Sequence, residues 1–140
     1  MPGSFFDTNV LICLASSDAA KAETAEALLA EGGTISVQVL NEITNVARRK
    51  MRLSWPETHD FLTNIRAFLM VQPVTVATHE AGIEIAGHYR LSVYDSMIVA
   101  SALQTECETL WSEDMQDGMM LEGRLRIVNP FAQRDGPPPG

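Results

Sequence analysis

The sequence predicts an α/β protein in which a central, mostly parallel sheet lies between two layers of helices, a three-layer α/β/α sandwich. Short apolar segments that suit buried strands alternate along the chain with helical segments of roughly ten to sixteen residues. The 140-residue chain is 46% hydrophobic and 20% charged, which is typical of a globular domain. A chain of this length can bury a core without disulfides, so Cys13 and Cys107 are expected to be buried free thiols.

The first part of the chain predicts a strand-and-helix alternation. Ser4–Phe6 is a short apolar run, and apolar residues within 10–14 then predict a helix. Residues 19–31 are rich in Ala, Leu, Glu and Lys, and the helix that they predict ends at two glycines, 32 and 33. Residues 34–37 predict a short strand. An apolar stripe at helical spacing then predicts another helix: Val39, Ile43, Val46 and Ala47.

The second part continues the alternation. Ser54 and Glu57 have the spacing of a capping box, which predicts a helix from about Trp55 to Met70. A strand is expected at 74–76. Further helices are expected at 79–89 and 94–107, and further strands at 109–112 and 126–128. The domain is therefore expected to span residues 1–132, with a disordered Pro- and Gly-rich tail over 133–140.

The charge balance limits the possible partners. The chain has 18 acidic and 10 basic residues, a formal net charge of −8. This balance argues against a protein that grips long duplex DNA through a positive surface, although it leaves room for a local basic patch. No basic residue precedes the first apolar run, and no apolar stretch approaches the roughly 18 residues that span a bilayer. We therefore expect a cytoplasmic protein with no membrane partner.

Four acidic residues are expected to meet at one edge of the sheet. Asp7 and Asp114 follow predicted strands, whereas Glu42 and Asp95 lie in otherwise apolar helices. Each has a structural alternative: Asp7 as a helix cap, Asp95 as a partner of its helix dipole, Asp114 as a turn residue and Glu42 as a solvated helix position. Ligands of open α/β sheets bind beyond the carboxyl ends of the strands, where the topology can bring all four acids together.

A cluster of carboxylates implies a divalent cation. Carboxylates within about 5 Å of each other repel by roughly 3 kcal/mol per pair at an effective dielectric constant of about 20. Oxygen ligands without His or Cys favour Mg²⁺ or Mn²⁺ over zinc. The reaction that this site implies is hydrolysis of a phosphodiester, because a metal ion both activates water and neutralises charge on the phosphate.

Neighbouring polar residues are candidates for supporting roles. Thr8 and Asn9 are placed to orient Asp7, and Ser112 is placed to orient Asp114. Asp117 is either a solvated turn acid or a contact to metal or water. A basic run that follows the Glu42 helix is either a solvated helix end or a contact for RNA phosphates: Arg48, Arg49, Lys50 and Arg52.

Four segments of the chain resemble the acidic motifs of the PIN-domain family. They are Phe5–Leu11, Val39–Ile43, Tyr94–Ala100 and Leu110–Gly118. Their order and separation resemble those of the VapC-type toxins of bacterial toxin–antitoxin pairs, and the likeness extends to about Phe131. The resemblance implies a PIN-like fold and an endoribonuclease that depends on Mg²⁺ or Mn²⁺. It also implies a homodimer that a cognate antitoxin inhibits by occupying the active-site groove.

The resemblance also assigns residues by position. Asp7, Glu42, Asp95 and Asp114 become the catalytic acids, and Asp7, Asp95 and Asp114 become the metal ligands. Asn9 and Ser112 match the supporting polar residues of the family. Because Glu113, Asp114 and Asp117 lie close together in the last motif, the identity of the fourth acid stays open, as does the RNA target.

Two other functions are compatible with an α/β fold that carries acids at strand ends. A non-catalytic binding module of the same fold would not need all four acids, which are present. A phosphoacceptor signalling domain would need a paired acid near the first strand and a late lysine, but the lysines are Lys21 and Lys50. Neither of the glycine-rich phosphate-binding loops of nucleotide-binding enzymes occurs in the sequence.

Overall fold

A six-stranded sheet forms the centre of the computed structural model, which describes residues 3–132. The strands are β1 (Gly3–Phe6), β2 (Gly33–Ser36), β3 (Leu69–Gln72), β4 (Cys107–Trp111), β5 (Met120–Leu121) and β6 (Leu125–Val128). Their order across the sheet is β3-β2-β1-β4-β6-β5. Only β5 is antiparallel to its neighbour within the described residues, so the predicted mostly parallel sheet is confirmed.

Six helices cover the sheet in the described part of the chain, which confirms the predicted α/β/α architecture. They are α1 (Thr8–Ile12), α2 (Ala19–Ala30), α3 (Val37–Arg49), α4 (Trp55–Arg66), α5 (Val76–Tyr89) and α6 (Val93–Gln104), with a 3₁₀ turn at Cys13–Ala15. Helix α6 is the most deeply packed helix, with residues 96–103 all buried. It contacts β2, β4 and α5.

The core explains why the central strands are apolar throughout. Phe5 and Phe6 are consecutive residues of β1, so their side chains point to opposite faces of the sheet, and both are fully buried. Leu110 in β4 and Ile127 in β6 are also fully buried. A parallel sheet with helices on both faces requires apolar residues on both sides of its strands. Cys13 and Cys107 are free and buried, as predicted.

Side-chain caps fix where the helices begin. Ser54 accepts a hydrogen bond from the Glu57 backbone N–H (3.1 Å), and Glu57 accepts one from the Ser54 N–H (2.8 Å). This is the capping box predicted at the start of α4. Other helices begin at a side chain that accepts a backbone hydrogen bond in the first turn: Asp18 for α2, Ser36 for α3, Thr75 for α5 and Ser92 for α6.

The prediction of a strand at 74–76 is wrong, and so is the prediction that the preceding helix extends to Met70. Helix α4 ends at Arg66, and β3 pairs in parallel with β2. The apolar run at 67–71 has no periodicity that distinguishes a helix from a buried strand, and pairing with β2 decides between them. Pro73 then follows the strand, and Thr75 caps α5, which begins at Val76 rather than at His79.

Smaller boundary differences lie nearer the C-terminus. Helix α6 ends at Gln104, and Cys107 begins β4 instead of ending the helix. The short strand β5 was not predicted, because two residues are too few for an alternating pattern. Within residues 3–132, every helix is too short or too polar to cross a bilayer.

The sheet order places a switch point between β1 and β4. From β1, the chain builds outward to β2 and β3 on one side, and then crosses to β4 and β6 on the other. Because the connections on the two sides diverge, a crevice forms beyond the carboxyl ends of β1 and β4. Phe6 at the end of β1 pairs with Trp111 at the end of β4, so the residues that follow these strands meet at this crevice.

Candidate active site

Asp7 lies at the centre of the crevice and is 4% exposed. Its Oδ1 accepts a hydrogen bond from the Thr8 backbone N–H (2.7 Å), which makes Asp7 the cap of α1. Its Oδ2 accepts from Asn9 Nδ2 (3.0 Å) and from Ser112 Oγ (2.8 Å). A carboxylate has about four acceptor positions, and these donors use three of them. One position, on Oδ1, is therefore left for a cation.

Burial makes the negative charge of Asp7 costly. Loss of hydration raises the pKa of Asp7 from 3.8 to about 6, and the nearby charges of Asp95 and Glu42 act in the same direction. The hydrogen bonds from Ser112 and Thr8 lower the pKa of Asp7 and offset part of this effect. A buried carboxylate that other acids surround is a favourable position for a cation.

Glu42 projects from α3 and is held at both carboxylate oxygens. Its Oε1 accepts a hydrogen bond from Thr8 Oγ1 (2.5 Å), and its Oε2 accepts from Gln38 Nε2 (3.2 Å). The same Gln38 amide also donates to the Tyr94 backbone carbonyl (2.9 Å). Helices α1, α3 and α6 are thus tied together around Glu42, which makes Glu42 a fixed member of the acidic group.

Asp95 lies in the first turn of α6, where Ser92 caps the helix. The Asp95 backbone N–H donates to Ser92 Oγ (3.1 Å). Partial burial raises the pKa of Asp95, and the charge of Asp114 raises it further, whereas the interaction with Ser92 lowers it. Asp95 and Asp114 therefore interact across the crevice although they come from different elements.

Residues 112–114 follow β4 directly and serve different purposes. Ser112 is fully buried and, besides donating to Asp7, accepts a hydrogen bond from the Met115 N–H (3.2 Å). The Glu113 N–H donates to Asn9 Oδ1 (2.9 Å), so Asn9 links Asp7 to this loop. The Glu113 carboxylate forms an ion pair with Lys21 of α2. Asp114 is exposed at the mouth of the crevice.

Asp117 is placed differently from the other acids. Its Oδ1 accepts a hydrogen bond from the Asn129 backbone N–H (2.8 Å), which ties the turn before β5 to the end of β6. Within the described residues, Asp117 is not part of the crevice lining. This geometry gives Asp117 a structural contact.

The crevice is a cleft of about 490 Å³, which we call the acidic cleft. Its lining includes Asp7, Thr8, Asn9, Ile12, Cys13, Glu42, Asn45, Val46, Lys50, Asp95, Glu113 and Asp114. The four acids singled out in the sequence therefore share one cavity. Burial raises the pKa of the Cys13 thiol, and its Sγ donates to the Asn9 carbonyl (3.3 Å), so we assign this thiol no chemistry.

The basic run divides between this cleft and a neighbouring groove. Lys50 lines the acidic cleft. Arg48 and Arg49 line a second groove beside Trp55. Arg52, an exposed residue, lines neither of these two cavities and takes a left-handed backbone conformation (φ 57°) after the end of α3.

The donor set fits a hard divalent cation that retains water. The acids offer oxygen donors, which Mg²⁺ and Mn²⁺ prefer. Within residues 3–132, no three His, Cys, Asp or Glu side chains lie close enough together to form a ready-made metal cage. Mg²⁺ does not require such a cage, because it commonly binds one or two carboxylates and keeps several waters.

The sequence model of the PIN domain matches residues 4–116. The chain belongs to the PIN domain family. A search of curated protein sequences finds no match.

Solved structures share the fold of this PIN domain at low sequence identity. A toxin–antitoxin complex from Klebsiella pneumoniae is 21% identical, with a TM-score of 0.70 over 91% of this chain and 98% of that one. VapC20 of Mycobacterium tuberculosis, a Sarcin-Ricin loop cleaving toxin, is 20% identical, with a TM-score of 0.62 over 79% and 89%. VapBC2 from Rickettsia felis, bound to a promoter DNA fragment, is 17% identical, with a TM-score of 0.66 over 90% and 97%.

Some residues of this site were not identified from the sequence. Gln38 precedes Glu42 by four residues, and this spacing places two side chains on one helix face, so the Gln38–Glu42 contact had a detectable signal. Asn45 had a similar signal, since it follows Glu42 by three residues. The Lys21–Glu113 pair joins residues 92 positions apart, and no local pattern indicates it.

Proposed function

We propose that this PIN domain is a metal-dependent endoribonuclease, the toxin of a toxin–antitoxin pair that acts in the cytoplasm. The observation that carries the proposal is the acidic cleft, where Asp7, Glu42, Asp95 and Asp114 converge from four separate parts of the chain. Negative charge in this cleft is unfavourable without a cation, and the pKa of Asp7 is raised mainly by burial and further by the charges of Asp95 and Glu42.

The proposed metal ligands are Asp7, Asp95 and Asp114, each of which holds Mg²⁺ or Mn²⁺ either directly or through one of the waters that complete its coordination. Asp7 retains one acceptor position, on Oδ1, and Asp95 and Asp114 interact electrostatically at the mouth of the cleft. When bound, such an ion neutralises charge on the scissile phosphodiester and lowers the pKa of the attacking water.

The chain itself supplies orientation. Ser112, Asn9 and the Thr8 N–H hold the Asp7 carboxylate in a single orientation. Thr8 and Gln38 hold Glu42, so this carboxylate is positioned to bind a water or the ribose of the substrate rather than to move during the reaction. Lys50 lines the same cleft and supplies a positive charge for a substrate phosphate.

The structural relatives support the choice of substrate and partner. VapC20 is described as a toxin that cleaves the Sarcin-Ricin loop, which is an RNA substrate. Other relatives are toxin–antitoxin complexes, and one of them is bound to promoter DNA. We therefore propose RNA as the substrate and a cognate antitoxin as the inhibitor. From the resemblance to VapC-type toxins we also propose a homodimer as the assembly.

The test is cleavage of RNA by the purified protein with Mg²⁺ or Mn²⁺. We expect Asp7→Asn to reduce cleavage at least a hundredfold and EDTA to abolish it, because each removes charge complementarity at the phosphate. Asp60→Asn is the matched control, since Asp60 is an exposed acid of α4. Cleavage that persists in EDTA and in Asp7→Asn would contradict the mechanism.

The alternative of a non-catalytic binding module predicts a different result. Such a module would give neither cleavage nor Mn²⁺ binding in a calorimetric titration. The toxin assignment has its own test, because expression of this chain should arrest growth and co-expression of its antitoxin should restore it. The PIN family match gives no support to a phosphoacceptor domain.

A further inference from the structure

An exposed tryptophan lies beside the acidic cleft. Trp55 is the first residue of α4, and it is 63% exposed. The Arg48 guanidinium carbon lies 4.2 Å from the centre of the Trp55 ring. Arg48 is itself fixed, because its Nη1 donates to the Leu53 carbonyl (2.6 Å). The ring is therefore held by a cation while much of its surface faces solvent.

A groove of about 400 Å³ lies beside this tryptophan and next to the acidic cleft. It is lined by Asn41, Thr44, Asn45, Arg48, Arg49 and Trp55. Asn45 also lines the acidic cleft, so the two cavities share a wall. Asn41, Asn45 and Arg48 have the spacing i, i+4 and i+7, which places them along one face of α3. From Glu42 to Arg48, the helix rises only about 9 Å.

The chemistry of this groove suits an unpaired nucleotide. An exposed indole offers a stacking surface to a base, and Asn side chains offer both donors and acceptors to base edges and ribose hydroxyls. Guanidinium groups pair well with phosphate, so Arg48 and Arg49 suit the backbone of the same nucleotide strand. Within the described residues, Arg48 uses one of its five N–H donors, on the Leu53 carbonyl.

We propose that Trp55 is a base-stacking platform for single-stranded RNA, and that Asn41, Asn45, Arg48 and Arg49 guide the strand from it into the acidic cleft. This inference rests on the proposed ribonuclease function. It makes unpaired RNA the substrate class, because the bases of a duplex are already stacked on one another and cannot cover the ring.

The charge distribution favours RNA over a protein segment at this groove. The chain has a net charge of −8, yet four of its 10 basic residues lie within positions 48–52. Two of them, Arg48 and Arg49, line the groove itself. A polyanion that reaches the acidic cleft along this path meets positive charge first, and a bound cation then offsets the acids.

The first experiment uses the fluorescence of Trp55. Trp111 is the other tryptophan, and a Trp111→Phe variant reports on Trp55 alone. We expect a short unstructured RNA to quench this emission in EDTA, where no cleavage occurs, and an RNA duplex of equal length to leave it unchanged. If Trp111→Phe does not fold, the Trp55 emission is obtained by subtracting the emission of Trp55→Phe from that of the wild-type protein, with and without RNA.

The second experiment measures affinity for the same RNA in EDTA. We expect Trp55→Ala to weaken binding about 5- to 150-fold, as loss of one stacked base does, and Trp55→Phe to remain within about threefold of the wild type. The dependence of affinity on salt should not change in Trp55→Ala, because no charge is lost. Phe68→Ala is the control, since Phe68 is an exposed aromatic residue (52%) that does not line the groove.

The outcomes separate this inference from the proposed function. RNA cleavage with unchanged affinity in Trp55→Ala would overturn the stacking platform and leave the ribonuclease intact. If RNA quenches the Trp55 emission and binds through Trp55 but is not cleaved with metal present, the stacking platform is supported and the ribonuclease function is overturned. If RNA leaves the Trp55 emission unchanged and a purified antitoxin shifts it, the groove is a protein interface and the inference is wrong.

Discussion

Asp7 shows how a single buried carboxylate links stability to function. Its hydrogen bonds fix its orientation, but they do not remove the cost of an ionised group that is 4% exposed. The pKa of Asp7 is raised from 3.8 to about 6, mainly by burial. The folded protein without metal therefore binds a proton at Asp7 more tightly than the unfolded chain does.

This difference predicts a pH dependence of stability. As the pH rises from about 3 to about 7, the unfolded chain loses the Asp7 proton before the folded protein does, so the stability that Asp7 contributes to the metal-free fold falls by about 3 kcal/mol. Above that range the contribution of Asp7 is constant. Urea unfolding in EDTA should show Asp7→Asn gaining stability relative to the wild type over this range. If the free energy of unfolding differs between Asp7→Asn and the wild type by the same amount at every pH, the raised pKa of Asp7 is contradicted. Asp60→Asn is the control.

The contacts of single residues also indicate which acid of the last motif, Leu110–Gly118, serves the metal. Lys21 neutralises Glu113, and Asp117 contacts the Asn129 backbone, so we expect Asp114 to be the acid that serves the metal. Glu113→Gln should keep kcat/KM within about threefold of the wild type, whereas Asp114→Asn should lower it at least tenfold. Steady-state cleavage at fixed Mg²⁺ measures both variants. A larger loss of kcat/KM in Glu113→Gln than in Asp114→Asn would make Glu113 the fourth acid.

The acids and the neighbours that orient Asp7, Thr8 and Asn9, were predictable from the sequence, but the long-range partners were not. Ser112, expected to orient Asp114, donates to Asp7 instead. Asp7 and Asp114 follow strands, so their position at one sheet edge follows from the fold class. The hydrogen bond from Thr8 to Glu42 joins residues 34 positions apart. Such contacts depend on how helices pack on the sheet, and no local periodicity encodes that packing.

Elements with strong local signals were predicted, whereas two strands, β3 and β5, were missed because only their pairing identifies them. The capping box of α4 is a local signal and was predicted at the correct residues. The strand β3 exists because Leu69–Gln72 pairs with β2, and its apolar residues suit a helix equally well. The predicted end of α4 was wrong for the same reason.

The packing of α5 on α6 depends on one glycine. A Cβ atom at Gly82 would lie 2.6 Å from Met97 Sδ and 2.9 Å from Met97 Cε, whereas one at Gly87 in the same helix meets no atom within 4 Å. We expect Gly87→Ala to raise the free energy of unfolding by about 0.5–1 kcal/mol through helix propensity. Gly82→Ala should lower it by about 1 kcal/mol, because Met97 must move within a packed core.

Urea unfolding at constant pH measures both glycine variants, and each is the control for the other. Equal stabilisation by the two alanines would show that Met97 moves without cost and that the close approach of α5 and α6 does not depend on Gly82.

At the scale of the whole molecule, the proposed function requires an acidic protein to bind a polyanion. The net charge of −8 opposes association with RNA, so the positive charge at 48–52 has to act locally. Lys50 at the acidic cleft and Arg48 and Arg49 at the adjoining groove lie along one path. Binding should therefore be modest in affinity and sensitive to salt.

This arrangement predicts the effect of removing the arginines. Changing Arg48, Arg49 and Arg52 together to Ala should weaken RNA binding at low salt and reduce the slope of log K against log salt by about 0.7 for each lost phosphate contact. Filter binding over a range of KCl concentrations measures this slope. Metal binding should not change. The matched control replaces Arg66, Arg90 and Arg124 together by Ala. An equal loss of RNA affinity in this control would indicate a general effect of net charge and not a contact made by residues 48–52.

The neighbouring positions of β1 and β4 have a consequence for the timing of synthesis. Asp7 is synthesised well before the serine that orients it, because Ser112 follows β4, 105 positions later. No growing chain that stops before β4 contains both halves of the cleft. While the ribosome is still making this protein, the part of the chain before β4 therefore lacks the assembled centre, and the proposed activity can begin only once the two strands have paired.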